Sequence, residues 1–455
     1  MIALSPRTPG VRVKRLTRAL YTYAALEDFV LLYPVYALLF ADTGLSVSEI
    51  SSLFIIGAVS GMLLEIPSGA WADAVSRRLL LSIGPLLSAA GFALWFLVPS
   101  YWSFALGFVL WSAGSSLRSG SMEALVYEEL DHLGNTEQYV TVMGRVRTIG
   151  LLAVAAATAV ATPVLAVGGY FALGTASVLA CLLCSLAGTA LPEHRAGARA
   201  GRHDGSASVS MDTASSASPA KEAAISRVEE AADSPPKESG GCLPERAGDA
   251  LPEEAAGRYA AVLRAGLAEV RDNRPVRGAL LLVAVVTAVW GGLEEYVPLL
   301  AAATGVSEAV VPLLVLIVWG GVAVGGLLAG VAGRLPVRVF AGVLAVAALT
   351  MAAGALTERP AGLVLVGAGF CVFQLSSVIA DARLQERITG PSRATVTSLA
   401  GIGMDAGTVL VYGVYAAASP FAGHGTIFAL FAVPYLCVAA AMAYGDRRGR
   451  RAGPL

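Results

Sequence analysis

Residues 18–41 read RALYTYAALEDFVLLYPVYALLFA. One arginine opens the stretch, and its only other charges are the neighbours Glu27 and Asp28. About 20 apolar residues in a helix cross the ~30 Å hydrocarbon core of a bilayer, so the stretch is long enough to span one. Its acids fall mid-span, where an ionisable side chain costs about 2.5–3.5 kcal/mol on insertion scales and marks function by default. Residues 276–302, VRGALLLVAVVTAVWGGLEEYVPLLAA, follow the same plan. Leu26-Glu27-Asp28-Phe29-Val30 is answered there by Leu293-Glu294-Glu295-Tyr296-Val297. Two membrane-length runs with an acid pair at one depth point to a duplicated helical membrane protein.

The rest of the chain agrees. Of its 455 residues, 56% are hydrophobic and 14% charged, against about 25% charged in a soluble domain. Mean hydropathy is +0.68. A soluble enzyme is excluded, and so is a disordered chain, which needs low hydrophobicity and high net charge. A net charge of −1 gives no reason to expect a nucleic-acid partner. Long unbroken apolar runs argue against a membrane β-barrel, whose strands alternate. The segment from Pro192 to Arg274 holds 25 of the 65 charges. Without it roughly 370 residues remain, room for twelve spans of about 20 apolar residues with short loops.

The spans are expected near 18–41, 49–72, 79–98, 101–124, 140–163 and 168–190, then 276–302, 308–332, 336–356, 360–382, 394–419 and 424–444. The run from Thr141 to Leu191 must hold two helices, with Pro163 and Gly168-Gly169 supplying the turn. The fold class is all-α: a polytopic membrane protein of twelve transmembrane helices in two six-helix parallel repeats. The domains are an N-terminal bundle over 1–191, a linker over 192–274 and a C-terminal bundle over 275–455. The linker reads as flexible, with a short amphipathic helix near 255–272, where Tyr259, Val262, Leu263, Leu267 and Val270 recur at helical spacing.

Arg and Lys in short loops set the orientation. One side carries Arg7, Arg12, Lys14, Arg15 and Arg18 of the N-terminal tail, Arg77 and Arg78, Arg145 and Arg147, Arg334 and Arg338, Arg383, Arg387 and Arg393, and the C-terminal Arg447, Arg448, Arg450 and Arg451. The other side has Arg359. Both termini and the linker are therefore expected in the cytoplasm, with the protein in the cell membrane. The first apolar run is too long for the core of a cleavable signal peptide.

Further matches tie the halves together. Thr43-Gly44-Leu45-Ser46 pairs with Thr304-Gly305-Val306-Ser307, Gly69…Asp73…Ser76-Arg77 with Gly326…Gly330…Gly333-Arg334, and Ser115-Ser116 with Ser376-Ser377. Parallel repeats are a transporter architecture, with the substrate site at the midplane between them.

The stretch Gly69-Ala70-Trp71-Ala72-Asp73-Ala74-Val75-Ser76-Arg77-Arg78 resembles G-x-x-x-D-x-x-G-R-R, the signature of the major facilitator superfamily between helices two and three, with Ser76 in place of a glycine. Glu65-Ile66-Pro67-Ser68-Gly69 resembles the E-x-P-T-G variant of a bacterial group within it. Ser119–Tyr127 and Arg393–Leu399 resemble patterns of the same group. The resemblance implies a secondary transporter that works by alternating access. It implies gating roles for Gly69, Asp73, Arg77 and Arg78, the carboxylate and arginine bridging to the other half on the cytoplasmic side, a latch that suits a carboxylate at a helix end and an arginine pair. A positive-inside anchor with a solvated Asp73 is the plainer reading of those residues. Gly330 stands where the second half would carry the Asp. The drug-antiporter elements of spans four and five are out of register, at Arg118/Gly120 and Pro163/Gly168.

The acids expected near the midplane are Glu27, Asp28, Glu294, Glu295 and Asp405; Glu65, Arg118, Glu123 and Asp381 fall nearer the cytoplasmic ends. Carboxylates sharing a low-dielectric cavity favour the protonated form, and such a group can carry a proton in each cycle or bind a cation. Successive helix residues point about 100° apart, so one acid of each pair is expected to face the cavity, with Glu27 and Glu294 preferred. Hydrogen bonding between helices is the alternative for any of them. Arg118 either contacts an anion or pairs with Glu123 or Glu65. Tyr33, Tyr36, Trp111, Gln374 and Tyr412 either line the site or are packing and interfacial residues.

Cys181 and Cys184 form C-x-x-C in mid-helix and read as small packing residues. The four histidines show no ligand spacing, so no metal is expected. No phosphate-loop motif occurs, so ATP-driven transport is unsupported. The expected function is proton-coupled export of a small organic compound, drug or secondary metabolite, by a monomer in the lipid bilayer. No enzyme activity, cofactor or nucleic-acid partner is expected. A facilitator, an importer or a membrane receptor is the alternative.

Overall fold

The computed structural model describes residues 9–194, 271, 273–332, 336–388 and 393–451. The amphipathic helix expected over 255–272 lies outside them apart from Arg271, as does the side chain of Asp73.

In chain order the helices are α1 (Pro9–Glu27), α2 (Tyr36–Asp42), α3 (Val47–Ala74), α4 (Arg77–Leu97), α5 (Tyr101–Arg118), α6 (Ser121–His132) and α7 (Tyr139–Thr189). The second half has α8 (Arg274–Glu294), α9 (Val297–Ala302), α10 (Val311–Ala332), α11 (Val337–Leu356), α12 (Gly362–Arg387), α13 (Arg393–Ala418), α14 (His424–Leu430) and α15 (Ala432–Arg451). Side-chain caps set several starts: Ser76, Ser100 and Asn273 accept the backbone N–H groups of Leu79, Ser103 and Val276.

Among the described residues nine helical stretches are long and apolar enough to cross a membrane. One of them, Thr136–Thr189, is 54 residues long and makes two crossings. Its turn falls at Gly169, where φ is 59° and ψ −162°, a conformation that glycine adopts without steric cost. Pro163, expected to help form that turn, sits inside the helix instead. The broken helices α1–α2 and α5–α6 supply the first and fourth crossings, giving twelve in all.

Those two breaks depart from the continuous spans expected over 18–41 and 101–124. Asp28 to Val35 leave the helix between α1 and α2. Pro34 contributes: it has no N–H, and it disfavours helical geometry in the residue before it. The Leu32 amide freed by the break donates to Ser177 Oγ of α7 at 3.1 Å. In the second half the chain turns at Glu295–Tyr296, and Pro298 sits in the first turn of α9. Unwound backbone at membrane depth is tolerated where protein or a cavity satisfies it. Here it falls beside the acid pair in both repeats.

In the first half α4 packs on α5 and α7, α3 on α5, and α1 on α7. In the second, α10, α11 and α8 pack on α12, and α8 on α13. The halves meet along two seams, α3 against α13 and α7 against α10. Near the face opposite the termini the first seam is tight. Ser48 Oγ donates to Ala416 O at 3.1 Å, and Tyr296 OH donates to the buried Ser51 Oγ at 2.7 Å. Tyr296 stacks on Tyr415 at 3.6 Å between ring centroids. Buried aromatics of the two halves, Phe54 and Tyr412, lie 5.4 Å apart.

Candidate functional site

Beyond that seal lies a cavity of about 570 Å³. Its walls come from α1 and the break after it, α3, α5, the turn before α9, and α13. It runs from Phe54 and Tyr412 toward Glu65, Ser119 and Asp405 on the side of the chain termini. Among the described residues the lining is acidic: Glu27, Asp28, Glu65, Glu295 and Asp405 against one cation, Arg118.

Arg118 is the last residue of α5, and its side chain is 12% exposed. Its Nε lies 2.7 Å from Glu27 Oε1, and Nη1 donates to Ser88 Oγ at 3.3 Å. Glu27 is therefore its partner, rather than the Glu123 or Glu65 weighed from sequence. Asp28 lines the cavity as well and lies against α7 at Gly150, so both acids of the first pair reach the wall where one was expected. A Cβ there would come within 2.2 Å of Asp28 Oδ2, so glycine is what lets the carboxylate approach the helix.

In the second half, Glu295 lines the cavity and Glu294 does not. Glu294 lies beside the Trp319 indole of α10. This corrects the preference for Glu294. Glu294 ends α8 and Glu295 caps it with helical φ and ψ of −64° and −24°, so the two side chains still point about 100° apart and one of them reaches the cavity. Gln374 is also absent from the lining; its amide lies over Gly326 of α10. Asp405 reaches the cavity from α13 and faces Glu65 of α3.

Aromatic rings form much of the remaining wall. Tyr33 stacks on Trp111 at 5.4 Å, and Tyr36, Phe54, Phe108 and Tyr412 complete it. Phe54 and Phe108 escaped the sequence reading, being indistinguishable there from core. A second miss was legible: Ser112, Ser115 and Ser116 of α5 and Ser119 just past its end recur at i, i+3, i+4 and i+7, and all line the cavity. Glu65, expected nearer the cytoplasmic end than the midplane, lines the cavity as well.

The loop signature behaves differently from the cross-half latch that the resemblance implies. Arg77 pairs with Glu128 of α6, in its own half. Its backbone N–H donates to Glu193 Oε1 at 2.8 Å, and Ser76 Oγ donates to the other oxygen of that carboxylate. The Arg78 carbonyl accepts from Ser82 Oγ at 2.8 Å, while its side chain is exposed. With the halves joined near the opposite face, the carboxylates that Arg77 meets among the described residues are those of its own half.

A cavity between two six-helix repeats, walled by broken helices, is a transporter's site. The family described as Major Facilitator Superfamily matches residues 22–412. The chain belongs to that superfamily. Solved structures of superfamily-like transporters share the fold. The nucleoside transporter NupG aligns over 95% of this chain and 98% of its own, at 13% identity and a TM-score of 0.65. A bacterial homologue of the human lysosomal transporter Spinster, in an inward-facing and unoccupied conformation, covers 98% of both chains at 16% identity and a TM-score of 0.59. A D-xylose-proton symporter covers 94% of this chain and 97% of its own, at 13% identity and a TM-score of 0.61. No curated protein matches in sequence. At these identities the likeness is one of fold. The superfamily member described here is a membrane-embedded secondary transporter, not an enzyme.

Proposed function

We propose that this transporter exports a small organic compound in exchange for protons, alternating the access of the cavity between the two faces of the cell membrane. The observation that carries the reading is the imbalance of charge among the described residues of the cavity: even with Glu65 set aside, four carboxylates and one guanidinium, and that guanidinium already held by Glu27. Carboxylates in excess can take a proton or a positively charged substrate in turn, which is the competition an antiporter needs. The aromatic wall suits a compound with an apolar body, and cation–π contact adds to the attraction.

Under this reading the bundles 1–191 and 275–455 rock against each other and 192–274 joins them in the cytoplasm. The termini lie on the cytoplasmic side, as the arginine bias supports, so the cavity described above faces inward. Gly69, Asp73, Arg77 and Arg78 act when that side closes, when Arg77 exchanges Glu128 for a partner in the second half. Export rests on the resemblance to the bacterial E-x-P-T-G group. The protein works as a monomer.

The test is flux in liposomes with an imposed pH gradient, across a panel of matched cationic, neutral and anionic compounds. Accumulation of cations that collapses with the gradient supports the proposal. Cation movement that ignores the gradient leaves a facilitator, and uptake with the proton, rather than against it, an importer.

A further inference from the structure

A second concavity, of about 510 Å³, lies well away from the central cavity, between α1 and the end of α7. It is lined by Lys14, Arg15, Arg18, Ala19 and Thr22 of α1 and by Ala187 and Ala190 of α7. Residues 14, 18 and 22 are spaced four apart and share one face of α1. The opposite face of that helix is spent on packing: Leu16, Leu20 and Tyr23 are buried in a core with Val142, Val146 and Cys184 of α7. The groove is thus a built feature of the α1–α7 contact, with small alanines as its floor.

Its charge has one sign. Among the described residues Lys14, Arg15 and Arg18 make no ion pair. Three described carboxylates on this face are engaged elsewhere: Glu128 with Arg77, Glu193 with Ser76 and Arg77, and Glu129 with His194. Three cations around an alanine floor would accept a doubly or singly charged oxyanion.

The groove also continues into the bilayer. Leu179, Leu183 and Leu186 are each more than half exposed, and they lie on the same face of α7 as Ala187 and Ala190. From Ala190 to Leu179 the stripe descends about 16 Å at 1.5 Å per residue. One leaflet of the hydrocarbon core is ~15 Å deep. A ligand that fills this site has an anionic head at the membrane surface and an apolar tail one leaflet long.

We propose that the groove between α1 and α7 binds an anionic glycerophospholipid of the leaflet nearest the chain termini. Its phosphate sits among Lys14, Arg15 and Arg18, and an acyl chain lies along Leu186, Leu183 and Leu179. Basic pockets between transmembrane helices recognise anionic headgroups in this way. The juxtaposition of a cationic pocket and a lipid-facing leucine stripe separates this site from scattered positive-inside charge, which needs neither.

The test is native mass spectrometry of the full chain purified in detergent and titrated with phosphatidylglycerol or phosphatidylcholine. Phosphatidylglycerol is expected to bind with simple stoichiometry and phosphatidylcholine not to. The variant Lys14→Gln/Arg15→Gln/Arg18→Gln should bind phosphatidylglycerol roughly a hundredfold more weakly, about fivefold for each charge removed. Ala190→Trp keeps every charge and fills the floor; it should also lose at least ten-fold, and it covers the case in which the triple variant fails to insert. Arg145→Gln/Arg147→Gln, which removes exposed charge from the start of α7, should bind as the wild type does. Equal loss in that control, equal binding of phosphatidylcholine, an Ala190→Trp variant that binds normally, or displacement by millimolar inorganic phosphate would each overturn the proposal.

Discussion

The acid pairs of the first and seventh crossings occupy corresponding places in the two repeats and meet opposite fates. Glu27 lies 2.7 Å from Arg118 and Asp28 rests against Gly150, so the first pair is clamped by a cation and by helix packing. Among the described residues neither Glu294 nor Glu295 makes an ion pair. Glu294 turns to Trp319 and Glu295 stands in the cavity wall. The residue that follows differs as well: Phe29 has no polar tip, whereas Tyr296 donates to Ser51 across the seam between halves. A carboxylate bound to a fixed guanidinium is held in place. One without such a partner is free to exchange a proton or a substrate cation. Duplication supplied two copies of one motif, and a single arginine made them different.

The largest effect should come from the unclamped member. Glu295→Gln is expected to lower gradient-driven flux in liposomes about 100-fold, the scale of a lost charge-assisted contact of up to ~3 kcal/mol. Wild-type flux would show that Glu295 is not the group that sets the second pair apart.

Next in size is the clamp. Arg118→Met leaves Glu27 without its cation, and Glu27→Gln leaves Arg118 without its anion. Each should cost about 3 kcal/mol in stability, as for other buried pairs broken on one side. The double variant should be more stable than either single one, a coupling that thermal unfolding of all four proteins measures. Additive losses would mean that the pair is not a unit.

Tyr296→Phe makes the seventh crossing resemble the first. Losing its bond to Ser51 removes roughly 1 kcal/mol, about a fivefold shift toward opening the seal. Thiol labelling of Ser48→Cys in both backgrounds reads this out, and unchanged labelling would remove Tyr296 from the seal.

The smallest effect is expected of Glu294→Gln, within about threefold of wild-type flux, or ~0.6 kcal/mol. A loss as great as that of Glu295→Gln would restore symmetry to the pair and break the comparison.

Membrane class, twelve crossings, internal duplication and the depth of the acids follow from composition and local order. A run of apolar residues has one low-energy home, and two acids inside such a run remain conspicuous wherever the chain goes. Residue spacing says that one acid of the second pair turns inward, but not which one, because that depends on how α8 is rotated against its neighbours. The short break at Glu295–Tyr296 was not legible either. The pairing of Arg118 with Glu27, and the facing of Glu65 toward Asp405, join residues far apart in the chain. Both depend on how helices pack, and local sequence does not encode that distance. The serine stripe on α5 is the intermediate case: its periodicity was visible, but a helix shows a polar stripe to a cavity or to a neighbour with the same spacing.

Local sequence therefore decides where this chain enters the membrane, how often it crosses and which rare charges it carries inside. Hydrophobic transfer is a property of each segment in turn, so a segment can be read without its neighbours. Which carboxylate is neutralised, which faces the cavity and where the two halves close arise when distant helices meet. Those outcomes depend on distances of a few ångströms between groups on different helices, and only packing establishes them.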